Sequence, residues 1–173
     1  MRLKIAFINV LSIALAIASR SAAAQAEHAS NALLDSLVGH WRMTGQVRGH
    51  PVAYDLDVRR ILNGAFIQLH MKDVARPAQY EALVLIGEDT VSNGVLVHWL
   101  DSTGGANSVP SGEGSTAGDT LTFDIPYPGH PFRDTFVHRR SDGSWTFHLD
   151  ARDARGGSKV FASYEVHRVR AAH

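Results

Sequence analysis

The sequence predicts an all-β protein, an antiparallel up-and-down barrel of about ten strands with one short helix in front of it. Three observations point there. Period-two alternation of apolar and polar residues runs through nearly the whole chain after residue 41. Turn dipeptides separate the alternating runs. Helical periodicity is confined to one short stretch, 30–37. One short helix cannot cover the apolar faces of so many strands, so the sheet must cover itself, as a sandwich or as a barrel. Sequential hairpins with short connections favour the barrel, because sandwiches usually need longer crossing connections.

The first 26 residues are set apart. Arg2 and Lys4 precede an apolar run of fourteen, residues 5–18, and Ala24-Gln25-Ala26 fits a small-x-small cleavage site. This pattern is expected of a secretory signal peptide and is short for a bilayer span. Residues 27–173 then form one domain, exported to the periplasm or the medium, with no membrane span after cleavage. Cleavage removes three of the 17 basic residues and none of the 17 acidic ones, leaving 14 against 17 and a net charge of −3. So mild a charge argues against nucleic acid or an anionic membrane as the main partner. The chain has no cysteine. Thiolate metal sites and cysteine nucleophiles are excluded, and an exported domain must rely on packing without disulfides.

In SNALLDSL, residues 30–37, Ser30 or Asn31 can cap a helix whose Leu33, Leu34 and Leu37 share one side, and Gly39 is placed to end it. Strands are expected at 41–48, 52–61, 65–74, 80–87, 94–101, 107–114, 119–125, 132–140, 144–152 and 158–168. Alternation is plainest in Val52, Tyr54, Leu56 and Val58, in Leu121, Phe123 and Ile125, and in Trp145, Phe147, Leu149 and Ala151. In the last strand Val160, Ala162, Tyr164 and Val166 share a face with Arg168. The segment 107–114 holds Pro110 and two glycines, which suits an edge or a loop. Asn63-Gly64, Asn93-Gly94 and Asp142-Gly143 are dipeptides that two-residue hairpins prefer, and Gly118-Asp119 and Gly156-Gly157 are weaker marks. PYPGHPF, residues 126–132, has three prolines and reads as a stiff loop.

A short helix followed by Gly39-x-Trp41 and an antiparallel meander resembles the calycin group, the lipocalins and their relatives. The resemblance implies that Trp41 closes one end of the barrel and that an Arg from the last strand lies across its indole. Arg168 is that residue here, with Arg170 next on its face. Leu37-x-Gly39-x-Trp41, Arg59-x-x-Leu62-x-Gly64-x-Phe66, Trp99-x-Asp101-Ser102, and Tyr164 with Arg168 resemble, in order, an uncharacterised bacterial lipocalin-like family. That resemblance implies a fold and brings no activity.

Ten histidines invite a metal reading, yet His-x-His and His-Glu-x-x-His are both absent. No metal is expected. His98 alternates with Leu96 and Leu100, and His138 with Phe136, so these two are the candidates to face inward. With Asp101 and Asp134 they form the weak catalytic set, since a carboxylate beside a His tunes it as a general base; surface ion pairing accounts for the same letters. Gly-x-Ser-x-Gly does not occur, and the polar segment 101–114 lacks phosphate-loop spacing. That segment is expected at a barrel mouth, where ligands enter.

The function expected is binding of a small, partly apolar molecule, lined by Tyr54, Leu56, Leu96, His98, Phe123, Phe136, Trp145 and Phe147. The alternatives are an enzyme using a His/Asp pair in the cavity, a haem-binding barrel held by one His, or an interaction protein with a filled barrel and an exposed apolar patch.

Overall fold

The computed structural model describes residues 31–169 apart from 90, 91, 93, 109 and 154. The expected signal peptide and Arg170 lie outside the described residues. One helix, α1 (Ala32–Leu37), precedes ten strands: β1 (Gly39–Val47), β2 (His50–Ile61), β3 (Phe66–Asp73), β4 (Glu81–Asp89), β5 (Gly94–Asp101), β6 (Ser111–Ala117), β7 (Thr120–Ile125), β8 (Phe132–Arg139), β9 (Ser144–Arg152) and β10 (Ser158–Arg168). Each strand pairs antiparallel with its neighbours in sequence, and β1 pairs with β10, so the sheet is a closed barrel. The barrel, not the sandwich, solves the packing problem that the alternating faces pose. No described helix is long and apolar enough to cross a membrane.

Strand ends fall within two residues of the sequence expectation except in β6, which starts four residues later than expected. A single 3-10 turn at Gly105–Asn107 and then Pro110 delay the chain's entry into the sheet. Of the two tightest hairpins, one, Gly118-Asp119, is a weaker mark in the sequence and the other, Arg48-Gly49, is not among the expected turns. Arg48-Gly49, with φ of 50° and 81°, joins β1 to β2, and Gly118-Asp119 joins β6 to β7. Asn63-Gly64 and Asp142-Gly143 instead sit in four-residue connections, between paired Ile61 and Phe66 and between paired Arg139 and Ser144.

The helix has six residues, too few to hold by its own hydrogen bonds. It persists because Leu33, Leu34 and Leu37 are buried in the barrel's end and its polar groups are tied to the wall. The Asn31 side chain accepts from the Leu33 amide at 3.1 Å and donates to Thr116 Oγ1 at 2.8 Å. Arg60 of β2 donates to Asp35 of the helix at 2.9 Å and to Glu88 of β4 at 2.6 Å.

Trp41 lies beneath the helix, buried, its indole N–H donated to the Leu37 carbonyl at 2.7 Å. The Arg168 guanidinium carbon stands 4.2 Å from the centre of the Trp41 ring. Its Nη2 donates to the Val38 carbonyl at 3.2 Å. Gly39 does not end the helix; Val38 does, and Gly39 already belongs to β1, with φ at +141°. A Cβ at residue 39 would run into the Arg168 guanidinium. The glycine leaves the room in which the arginine lies flat on the indole. A double-mutant cycle tests this. Gly39→Ala is expected to cost about 2 kcal/mol in urea unfolding, with at least ~0.5 kcal/mol of that recovered when Arg168 is also Ala. Strictly additive losses would refute the steric account.

Candidate functional site

Antiparallel connectivity sends the connections after β1, β3, β5, β7 and β9 to the end of the barrel away from the helix, here the far end. Below them the inner face is aromatic. Phe136 of β8 and Phe147 of β9 are stacked at 3.8 Å between ring centres, and Phe147 stacks on Tyr164 of β10 at 5.6 Å. Tyr164 meets Tyr54 edge-on at 6.0 Å, and Tyr54 meets Tyr80 at 5.8 Å. Trp99 of β5 lies 6.3 Å from Phe147 and donates its indole N–H to the Tyr80 hydroxyl at 3.1 Å. Tyr80 passes the chain on, donating to Asp101 Oδ2 at 3.1 Å. Burial and, after it, Asp101 push the Tyr80 hydroxyl's pKa far up, so it stays a donor.

Asp134 sits within this aromatic half, inward on β8 between Phe123 of β7 and Leu149 of β9. It is 1% exposed, and its Oδ1 has no hydrogen-bond partner. Burial, with smaller contributions from Asp124 and Asp150, raises its pKa well above the usual carboxylate range. Tyr127, on the proline-rich loop, is half-buried and packs against the core. Burial, then Asp101 and Asp134, push its pKa up to about 12. Burial likewise raises Tyr164, helped by Tyr54 and Asp134. The far half therefore packs hydroxyl groups and rings around a buried carboxyl whose Oδ1 has no hydrogen-bond partner.

Toward the middle, Met43, Leu56, Leu69, Met71, Val84, Trp99, Phe136 and Phe147 enclose a cavity of about 10 Å³. That is room for about one water molecule, in a setting that offers a water almost nothing to bond. Side chains fill the rest of this region.

Six of the eight expected lining residues are buried: Tyr54, Leu56, Phe123, Phe136, Trp145 and Phe147. Leu56, Phe136 and Phe147 border the cavity. Trp145 belongs to the other end of the barrel, its ring 4.7 Å from that of His138 and tilted 30° to it. Leu96 and His98 are a correction. Strand β5 turns Val95, Val97 and Trp99 inward, leaving Leu96 38% exposed on the outer surface beside His98. Val160 is also turned out, because a register shift between Val160 and Ala162 breaks the alternation of β10.

The expected acid–base pairs do not form. Among the described residues no imidazole nitrogen is hydrogen-bonded to Asp101 or Asp134. His98 is on the opposite face from Asp101. His138 shares a face with Asp134, but four residues of strand separate them by about 13 Å. No group of three or more His, Asp or Glu able to hold a metal ion occurs among the described residues. Trp99 and Tyr80 are the site residues that the sequence reading missed; Tyr127 is one of three aromatics, with His130 and Phe132, that the proline-rich loop offers for an entrance. The signal available was Trp99 itself, the bulkiest residue of β5.

No family model and no curated protein matches the chain. Among solved structures, the crystal structure of Rv2717c from M. tuberculosis is similar, with a TM-score of 0.52 and 14% identity, covering 82% of this chain and 99% of that one. At that identity the likeness shows the barrel fold alone.

A buried acid with a raised pKa holds its proton in the folded state while the unfolded chain releases it. Folding then becomes less favourable as pH rises above the ordinary carboxylate range. Asp134→Asn is expected to raise stability at pH 7 by roughly 1–3 kcal/mol, the scale of an unsatisfied buried polar group. The gain should shrink steadily to pH ~4 and vanish below about pH 3, where the carboxyl is protonated in both states. Thermal unfolding of both proteins between pH 4 and 8 checks it; a gain independent of pH would contradict the burial of an ionisable Asp134.

Proposed function

We propose that this chain is an exported barrel protein that binds one small, partly apolar molecule in the aromatic half of its interior, against Asp134. The observation that carries the reading is the Asp134 carboxyl, almost wholly buried with Oδ1 unpartnered and surrounded by ring faces. An unsatisfied buried polar group is costly, and a ligand that hydrogen-bonds it removes the cost. The cavity of about 10 Å³ has room for one water-sized group and is not lined by Asp134, so an occupant that reaches from it to the carboxyl requires side chains to move. Met43 and Met71 in its wall are the flexible ones. The Arg168–Trp41 contact supports reading the chain as a relative of the calycin-type, lipocalin-like barrels, and the pattern of residues 1–26 supports export.

Native mass spectrometry of protein isolated from its natural source tests this. The polypeptide is expected to begin at Glu27 and to carry, or take up from a cell extract, a small molecule that Asp134→Leu no longer retains. An empty protein that takes up nothing would contradict ligand binding. A Soret band in the same sample would identify the occupant as haem.

A second reading, an interaction protein with a filled barrel, is favoured by the outer surface of β4 and β5. There Leu83 and Leu100 are direct cross-strand partners, 38% and 41% exposed, with Leu96 nearby. Sedimentation decides it. Association of the wild type, abolished by Leu83→Lys with Leu100→Glu, is expected on this reading and not on the first.

A further inference from the structure

We propose that the molecule received at Asp134 is a small organic cation, a protonated alkylamine of a few carbons, paired with the carboxylate and lodged against the surrounding rings. This rests on the interior site proposed above and adds the sign of the ligand's charge.

Three observations carry it. First, Asp134 has no cation of its own. The inward positions on its own strand and the two beside it are Phe123, Ile125, Phe132, Phe136, Phe147 and Leu149, none of them basic. The nearby arginines are spent elsewhere: Arg133 donates two hydrogen bonds to Asp124, at 2.9 and 2.6 Å, and Arg152 lies 4.0 Å from the same carboxylate. Second, the charged groups acting on Asp134 are all acidic. Asp124 on β7 and Asp150 on β9 act on it through the wall. Tyr127 on the loop above, itself under the influence of Asp101, and Tyr164 on β10 remain neutral donors. Burial, the largest cause of the raised pKa, opposes any lone charge here; the acidic neighbours, the smaller cause, favour a positive one, so the cation enters only as a partner paired with the carboxylate. Third, the walls suit a cation. Phe136, Phe147 and Tyr164 form a stacked series, and an ammonium over such a face gains attraction that grows when water is excluded. The alkyl part then meets Met43, Leu56 and Met71, an apolar surface with nothing for a second polar group.

The proton count follows. Empty, Asp134 holds its proton. An ammonium ion entering from water displaces that proton to bulk solvent, so binding releases a proton wherever the empty carboxyl is protonated and strengthens as pH rises through that range, until the amine itself loses its charge. A neutral alcohol or carbonyl compound would instead accept the carboxyl's hydrogen bond and release none.

The experiment is a titration of the folded chain, residues 27–173, with isobutylammonium chloride and, separately, with isobutanol, followed by amide ¹H–¹⁵N spectra at constant ionic strength. The ammonium is expected to shift the amides of residues 134, 136, 147 and 164 and to bind at least tenfold more tightly than the alcohol. The preference should be lost in Asp134→Asn. Proton uptake or release is read in parallel in weakly buffered wild-type protein, which keeps the question decidable if the variant fails to fold. If isobutanol binds as tightly, without proton release and in an Asp134-dependent way, the cation is wrong and the interior site stands. If neither compound shifts those amides, the interior site falls as well. A preference for the ammonium that survives in Asp134→Asn also overturns the proposal.

Discussion

The seam between the first and last strands is the constraint on which the rest of the molecule depends. Trp41 of β1 and Arg168 of β10 are register partners at its lower end, so closing the ring and stacking the guanidinium on the indole are one event. Gly39 makes the stack sterically possible, and the Leu37 carbonyl satisfies the indole N–H that the stack buries. Closure leaves the sheet without an open edge and shuts water out of its centre. Only then does an acid at residue 134 become a buried acid. In an open sheet its inner face would be wet, and its carboxyl would titrate like any other.

The two ends of the barrel meet their polar groups in opposite ways. At the helix end Arg60 is matched by Asp35 and Glu88, and Asn31 by Thr116. These contacts bind a helix too short to stand alone, and they leave little chemistry to perform. At the far end Tyr80 and Asp101 satisfy each other, while Asp134 is left with an unpaired oxygen among rings. At the helix end the buried Trp145 Nε1 also lacks a hydrogen-bond partner, so the contrast is one of carboxyls: Asp35 and Glu88 each meet a guanidinium, and Asp134 meets no cation, which is what locates the candidate site.

The architecture was legible in the chain because strands with one wet and one dry face announce themselves. Val52 to Val58, Leu121 to Ile125 and Trp145 to Ala151 each carry polar residues on the alternate positions. β5 does not. Its two phases, Val95-Val97-Trp99 and Leu96-His98-Leu100, are nearly equal in apolar character, and the choice is made by pairing with strands far away in sequence, where Val97 stands opposite Gly112 and Trp99 opposite the buried Val84. Reading that strand in the wrong phase put His98 in the pocket and lost Trp99. The pairing of Asp134 with His138 failed for a different reason. Spacing of four residues places side chains together on a helix and about 13 Å apart on a strand. Tyr127 could not be singled out because nothing in a proline-rich loop says which of its aromatics folds back over the barrel.

All of this converges on one group in one environment. The direct measurement is the ¹³C carboxyl chemical shift of Asp134 followed from pH 3 to pH 8 in the folded protein. The account requires the signal to stay at its protonated position through the range where Asp124, held low by Arg133, has long since ionised. A normal titration of Asp134 near pH 4 would mean that water reaches it, and neither the closed dry interior nor the site built on it would survive.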